Sequence, residues 1–153
     1  MNTSAVLPDL GLDLRKLPDL GDAATRTRLS RPAIAAFFSI AEKWDLRNED
    51  AMALLGGASH GRYYELKRTR KGLLSHDELT RVSLLIGIFK ALNIVFSQKL
   101  ADQWVSRPNS NPMFSNMFRN MFRNAAPLEL LVRGGVPGMI GVRRLLDSRR
   151  GGR

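Results

Sequence analysis

Cysteine is absent from the 153 residues, and histidine occurs only twice. The first absence excludes disulfides, thiolate metal centres and cysteine nucleophiles. The two histidines, His60 and His76, have no second ligand at metal spacing, so both read as solvated imidazoles and no metal is expected. His-x-x-x-His pairs and Gly-rich phosphate loops are also missing. No histidine lies near a convincing serine and acid pair, so the chain reads as a non-enzyme with no cofactor. Long apolar runs are lacking too. The longest, Val82 to Phe89, is far short of the ~20 residues that span a bilayer. The N-terminus has no basic head followed by an apolar stretch. A cytoplasmic protein without a membrane partner is the expectation.

Acidic residues are few: 14 against 24 basic ones, a formal charge of +10. Such a balance favours polyanionic partners. The 44% hydrophobic content is that of a folded chain.

Along the chain the signal is helical. Residues 1–31 read as a flexible arm, with LPDLG at 7–11 and again at 17–21 among nearly balanced charges. From Pro32, placed as a first-turn proline, Ile34, Phe37, Phe38, Ala41 and Trp44 fall on one helical face. A short helix follows Asn48, read as its N-cap, with Glu49 and Asp50 at the positive end. Another begins at Ser59. Ser75-x-x-Glu78 is a capping box, followed by helical spacing from Leu79 to Phe96. Gln98 to Val105 forms one more segment. No convincing alternating strand appears, and the fold class is all-α.

The stretch EDAMALLGGASHGRYYELKRTRKG has the layout of a helix-turn-helix: a short helix, a glycine turn, then a second helix rich in DNA-compatible side chains. Gly56-Gly57-Ala58 permits close crossing. Ser59 can cap the second helix or meet a phosphate. His60, Arg62 and Tyr63 are the expected base readers, with Arg62 the favoured guanine contact. Lys67, Arg68, Arg70 and Lys71 are expected to hold phosphates. The competing reading is an αα-hairpin with a solvated basic face.

Beyond Asn109 the character changes. Pro127 and Pro137 open two short segments separated by Gly134-Gly135. From Arg119 onward there are eight arginines and only two acids, a bias that suits carboxylate or phosphate recognition.

With these segments in order, the chain resembles antitoxins of the Xre/MbcA/ParS type. The resemblance rests on the helix-turn-helix at 49–67 and LSHDELTRVSLLIGIFKALNIVF at 74–96. It continues through Trp104, Asn111-Pro112-Met113-Phe114, Pro127-Leu128-Glu129-Leu130-Leu131, Gly134-Gly135-Val136-Pro137 and Val142-Arg143-Arg144-Leu145-Leu146-Asp147. It covers about residues 32–150. It implies an Xre-like helix-turn-helix core for DNA binding and dimerisation (32–107) and a small helical toxin-binding domain (108–153). The implied partner is a RES-type, NAD-consuming toxin whose active site the C-terminal domain occludes. Operator DNA, bound by a homodimer that represses its own operon, is the other. Leu128, Glu129, Leu131, Gly134, Gly135, Val136, Arg143, Arg144 and Leu146 are implied to face or support the toxin, with Arg149 and Arg150 nearest the occluded pocket. Ordinary core packing competes for the apolar members. The rival function is a stand-alone repressor with no toxin.

Residues 113–124 repeat one unit, MFSN-MFRN-MFRN. Without 117–124 the join resembles the family's short connection into Pro127-Leu128-Glu129. The repeat therefore reads as an in-frame tandem expansion, tolerable as a longer surface connection.

Overall fold

A computed structural model describes residues 18–109 and 126–152, with side chains up to residue 149. Its helices are α1 (Ala23–Lys43), α2 (Asn48–Leu54), α3 (His60–Thr69), α4 (His76–Val95), α5 (Gln98–Trp104) and α6 (Pro127–Gly152). No strand occurs among the described residues. The all-α expectation holds.

Helix α1 begins at Ala23, well before Pro32, so residues 23–31 are helix and not part of a flexible arm. Asp22 supplies the start: its carboxylate accepts from the Thr25 backbone N–H at 3.0 Å and the Thr25 hydroxyl at 2.8 Å. The Thr25 side-chain bond, then its backbone bond, hold the Asp22 carboxyl below the usual range. The polar residues of this turn are satisfied locally. Thr27 Oγ1 donates to the Ala23 carbonyl at 2.9 Å and Ser30 Oγ to the Arg26 carbonyl at 2.6 Å. Pro32 is consequently an interior proline, lacking the N–H that would bond four residues back. The buried face of α1 compensates, with Leu29, Ala33, Ile34, Ala36, Phe37, Phe38 and Ile40 all removed from water. Each large side chain among them contributes about 1.5–3 kcal/mol.

Packing divides the chain within α4, between Ile86 and Gly87. A regular helix carries its apolar period straight through such a boundary, so sequence gives no sign of it. In the N-terminal unit, Trp44, Leu54, Tyr63, Leu66, Leu74, Leu79, Val82 and Leu85 join the α1 face in one core. The Ser75/Glu78 capping box forms in both directions. Ser75 N–H donates to Glu78 Oε1 at 2.9 Å, and Glu78 N–H donates to Ser75 Oγ at 3.1 Å. Ahead of it, the buried Leu74 N–H donates to Ser30 Oγ at 2.9 Å. That bond fixes the α3–α4 connection against α1.

In the C-terminal unit, Phe89, Leu92, Trp104, Val105, Leu130, Leu131, Met139, Val142 and Leu146 are buried. The Leu128 N–H donates to the Val105 carbonyl at 2.8 Å, setting the start of α6 against the end of α5. α6 breaks at Gly135 (φ 61°, ψ −146°), a conformation open essentially to glycine alone. The two proline-opened segments read from sequence are the arms on either side. A Cβ on Gly138 would collide with the Leu130 carbonyl, so the second arm lies against the first. Residues 113–124, with the Met-Phe repeat, lie outside the described residues, as do residues 1–17 of the arm read over 1–31.

Candidate nucleic-acid interface

The α2–turn–α3 unit is built on two glycines. Gly56 (φ 97°) and Gly57 (φ 87°) take the left-handed region that side chains resist. Both the Gly57 and the Ala58 N–H groups donate to the Met52 carbonyl, at 3.0 and 3.2 Å, which closes α2. Space also matters at Gly56. A Cβ there would sit 3.0 Å from Asp77 Oδ2 and 3.1 Å from Arg81 Nε, the two members of an ion pair on α4. The turn is thus seated directly on the start of α4.

Helix α3 starts at Ser59, whose Oγ accepts from the Arg62 N–H at 3.3 Å. The cap expected at Ser59 forms. His60 follows, exposed.

The favoured base reader, Arg62, is otherwise occupied. Its Nε donates to Glu78 Oε2 at 3.2 Å, and its Nη2 to Glu78 Oε1 at 2.5 Å and to the Leu73 carbonyl at 3.2 Å. This fork clamps α3 to α4 and uses the donors that a guanine would need. Tyr63 is also withdrawn. It is 2% exposed, and its hydroxyl donates to Asn48 Oδ1 at 2.9 Å. Burial, with a smaller effect from Tyr64, raises its pKa above the ordinary phenol value. For both residues the expected base contact gives way to packing between helices.

The phosphate candidates fare differently from one another. Lys67 Nζ donates to Asn48 Oδ1 at 3.0 Å while its side chain stays exposed. Arg68 is exposed and pairs with the exposed Glu65 at 2.9 Å. An exposed pair of this kind contributes at most about 1 kcal/mol and yields readily to a phosphate. Arg70 takes a left-handed conformation (φ 59°) that ends α3, donates from Nε to the Lys67 carbonyl at 2.8 Å, and lies 4.8 Å from the Phe38 ring centroid. Lys71 is exposed. An open cationic edge therefore lies at the C-terminal end of α3, formed by Lys67 and Arg68 with Lys71 just beyond the helix.

Two contributors were not legible as such. Asn48 heads α2, but the cap position is Arg47, and the Asn48 amide oxygen instead receives both Tyr63 and Lys67. Glu78 was legible as a capping residue, yet no helical spacing links it to Arg62. Only the tertiary fold brings them together.

The residues implied to face a toxin divide in the same manner. Leu131 and Leu146 are fully buried core. Gly135 makes the kink. Gly134, Val136 and Leu128 are half-buried. Arg143 lies across α4, where a Cβ on Gly87 would collide with its guanidinium, and its Nε donates to both Asp147 carboxylate oxygens at 3.1 and 3.2 Å. Glu129, Arg144 and Arg149 are exposed, as are Pro137 and Ile140. Arg150 lies beyond the described side chains.

Residues 22–87, which run from the α1 cap through the first half of α4, match the antitoxin Xre-like helix-turn-helix domain. Over 120 residues the chain is 34% identical to an uncharacterized protein, y4oB, of Sinorhizobium fredii (strain NBRC 101917 / NGR234), covering 78% of this chain and 84% of that protein. The chain belongs to the y4oB family and carries an antitoxin Xre-like helix-turn-helix domain. No solved structure matches. The Xre-like domain coincides with the N-terminal unit and includes the capping box, the Arg62–Glu78 clamp and the α3 edge. It is a DNA-binding kind of domain. No helix among the described residues is long and apolar enough to cross a membrane.

Proposed function

We propose that the chain is the antitoxin of a type II toxin–antitoxin pair, of the MbcA/ParS subtype, binding its own operator through α3 and a RES-type toxin through its C-terminal unit. The observation that carries the reading is the match of residues 22–87 to an antitoxin-type helix-turn-helix, whose second helix has an exposed cationic edge. In this reading Ser59 and His60 lie at the entry to the major groove, and Lys67, Arg68, Arg70 and Lys71 approach the phosphates, positioning the helix. A homodimer places two such helices on an operator. The domains follow as an N-terminal arm, a DNA-binding region and a toxin-binding end.

The C-terminal unit supports the second half of the reading. Its second α6 arm exposes Pro137, Ile140, Arg144 and Arg149, an apolar strip flanked by arginines. Such a strip suits a partner cleft with acidic groups at its rim. The Arg-rich end would enter the pocket where the toxin consumes NAD and so block it.

Co-expression of the full chain with the product of the adjacent reading frame tests this. Growth rescue together with co-purification is expected. A freely growing strain that expresses the neighbour alone, or no complex with this chain, would leave the stand-alone repressor.

A further inference from the structure

With Arg62 tied to Glu78 and Tyr63 buried, a question stays open in the DNA-binding reading: what on α3 reads bases. Helix α3 presents Gly61, Tyr64 and Arg68 at i, i+3 and i+7, one face of the helix. Two of them, Gly61 and Tyr64, stay open to a partner. A Cβ on Gly61 would have nothing within 4 Å, and its backbone is not in the left-handed region, so neither space nor conformation requires glycine there. Tyr64 is 43% exposed, the only exposed large hydrophobic on α3.

Tyr64 is nevertheless held. Its ring meets the buried Tyr63 ring edge-on, with centroids 5.0 Å apart and planes at 79°. The His60 ring flanks it at 6.1 Å. An aromatic side chain projecting from a rigid base loses little freedom on binding. The step at Gly61 removes the side chain that would otherwise keep the helix backbone away from a partner. Arg68 and Lys71, further along, supply charge complementary to phosphates.

We infer that Tyr64 is a specificity-determining residue that packs its ring against the C5-methyl group of thymine in the major groove, with Gly61 providing the clearance that lets it get there. This rests on the DNA-binding reading of α3. The chemistry fits: the thymine methyl is the one apolar handle in the major groove, and an aromatic ring is a natural partner for it. The other face-forming residues are cationic or glycine and cannot make that contact.

The test couples one side chain to one methyl group. A preferred duplex is selected by the wild-type chain from a randomised library, and each thymine in it is then replaced singly by deoxyuridine. Wild-type affinity is expected to fall about fourfold at one position, the equivalent of one buried methyl-sized group. Tyr64→Ala is expected to bind the original site more weakly and to be indifferent to that replacement. Gly61→Leu is expected to melt no lower than the wild type, leucine being the better helix former, and to lose at least tenfold in selective affinity. Equal responses of wild type and Tyr64→Ala to every deoxyuridine, or a Gly61→Leu variant that binds as the wild type does, would overturn the inference while leaving DNA binding intact. A wild-type chain that selects no sequence at all would overturn both.

Discussion

Arg62 and Glu78 form a two-pronged ion pair, with Nε–Oε2 at 3.2 Å and Nη2–Oε1 at 2.5 Å, and the same carboxylate closes the capping box of α4. One glutamate thus caps a helix and ties it to the helix before it. Glu78 is the more shielded member, with 12% of its side chain exposed against 38% for Arg62.

Arg62→Ala is therefore expected to act first on stability. Leaving Glu78 half-satisfied costs about 1–3 kcal/mol, measurable by urea denaturation. Glu78→Ala loses the cap as well and costs more. The double variant is less destabilised than the sum of the two, because they share one interaction. Additive losses would show that the pair is not coupled.

Ser30→Ala removes the acceptor of the buried Leu74 N–H, 44 residues away in sequence. A stranded buried donor costs about 1–3 kcal/mol. Thermal denaturation reads the loss. Ser30→Thr restores the hydroxyl and recovers part of the stability.

Tyr63 gives the domain an alkaline limit. Burial favours its neutral phenol, so its folded pKa lies above the unfolded value of about 10. The folded state then holds the proton more tightly than the unfolded one. Its contribution is complete below the unfolded pKa and is lost as pH rises through the folded pKa. Stability measured between about pH 9 and 11.5 declines more steeply in the wild type than in Tyr63→Phe.

In the C-terminal unit, the apolar strip separates from the core cleanly enough for surface variants. Ile140→Asp and Arg144→Glu lie at exposed positions and are expected to keep the far-UV spectrum and melting temperature while reducing capture of the adjacent gene product. Deleting everything after Gly135 is a poorer probe, because Met139, Val142 and Leu146 are core. Gly135→Ala is the stability control. It forces a side chain into φ 61°, ψ −146°, at a cost of about 1–3 kcal/mol.

Much of this was legible in sequence. The capping box at Ser75, the glycine turn at 56–57 and the break between Pro127 and Pro137 each depend on local chemistry, and each formed. The misreadings have two sources, one local and one tertiary. The start of α1 was missed because Thr25, Thr27 and Ser30 look like helix-poor residues until their side chains are seen bonding within the helix. Arg62 and Tyr63 looked like base readers because their early position in α3 is visible in sequence, whereas Glu78 and Asn48, which hold them, are 16 and 15 residues away. The side chains that face inward could not be separated from those that face a partner by residue type alone.

Whether the exposed edge of α3 meets DNA is measured most directly by the salt dependence of binding. The probe is a duplex carrying the sequence immediately upstream of the chain's own gene, titrated with wild type and with an Arg68→Ala, Lys71→Ala double variant. Losing two phosphate contacts is expected to weaken binding and to flatten the slope of log K against log salt by about 1.8, with the melting temperature retained. Identical affinity and slope for the two proteins would mean that this edge meets no phosphate.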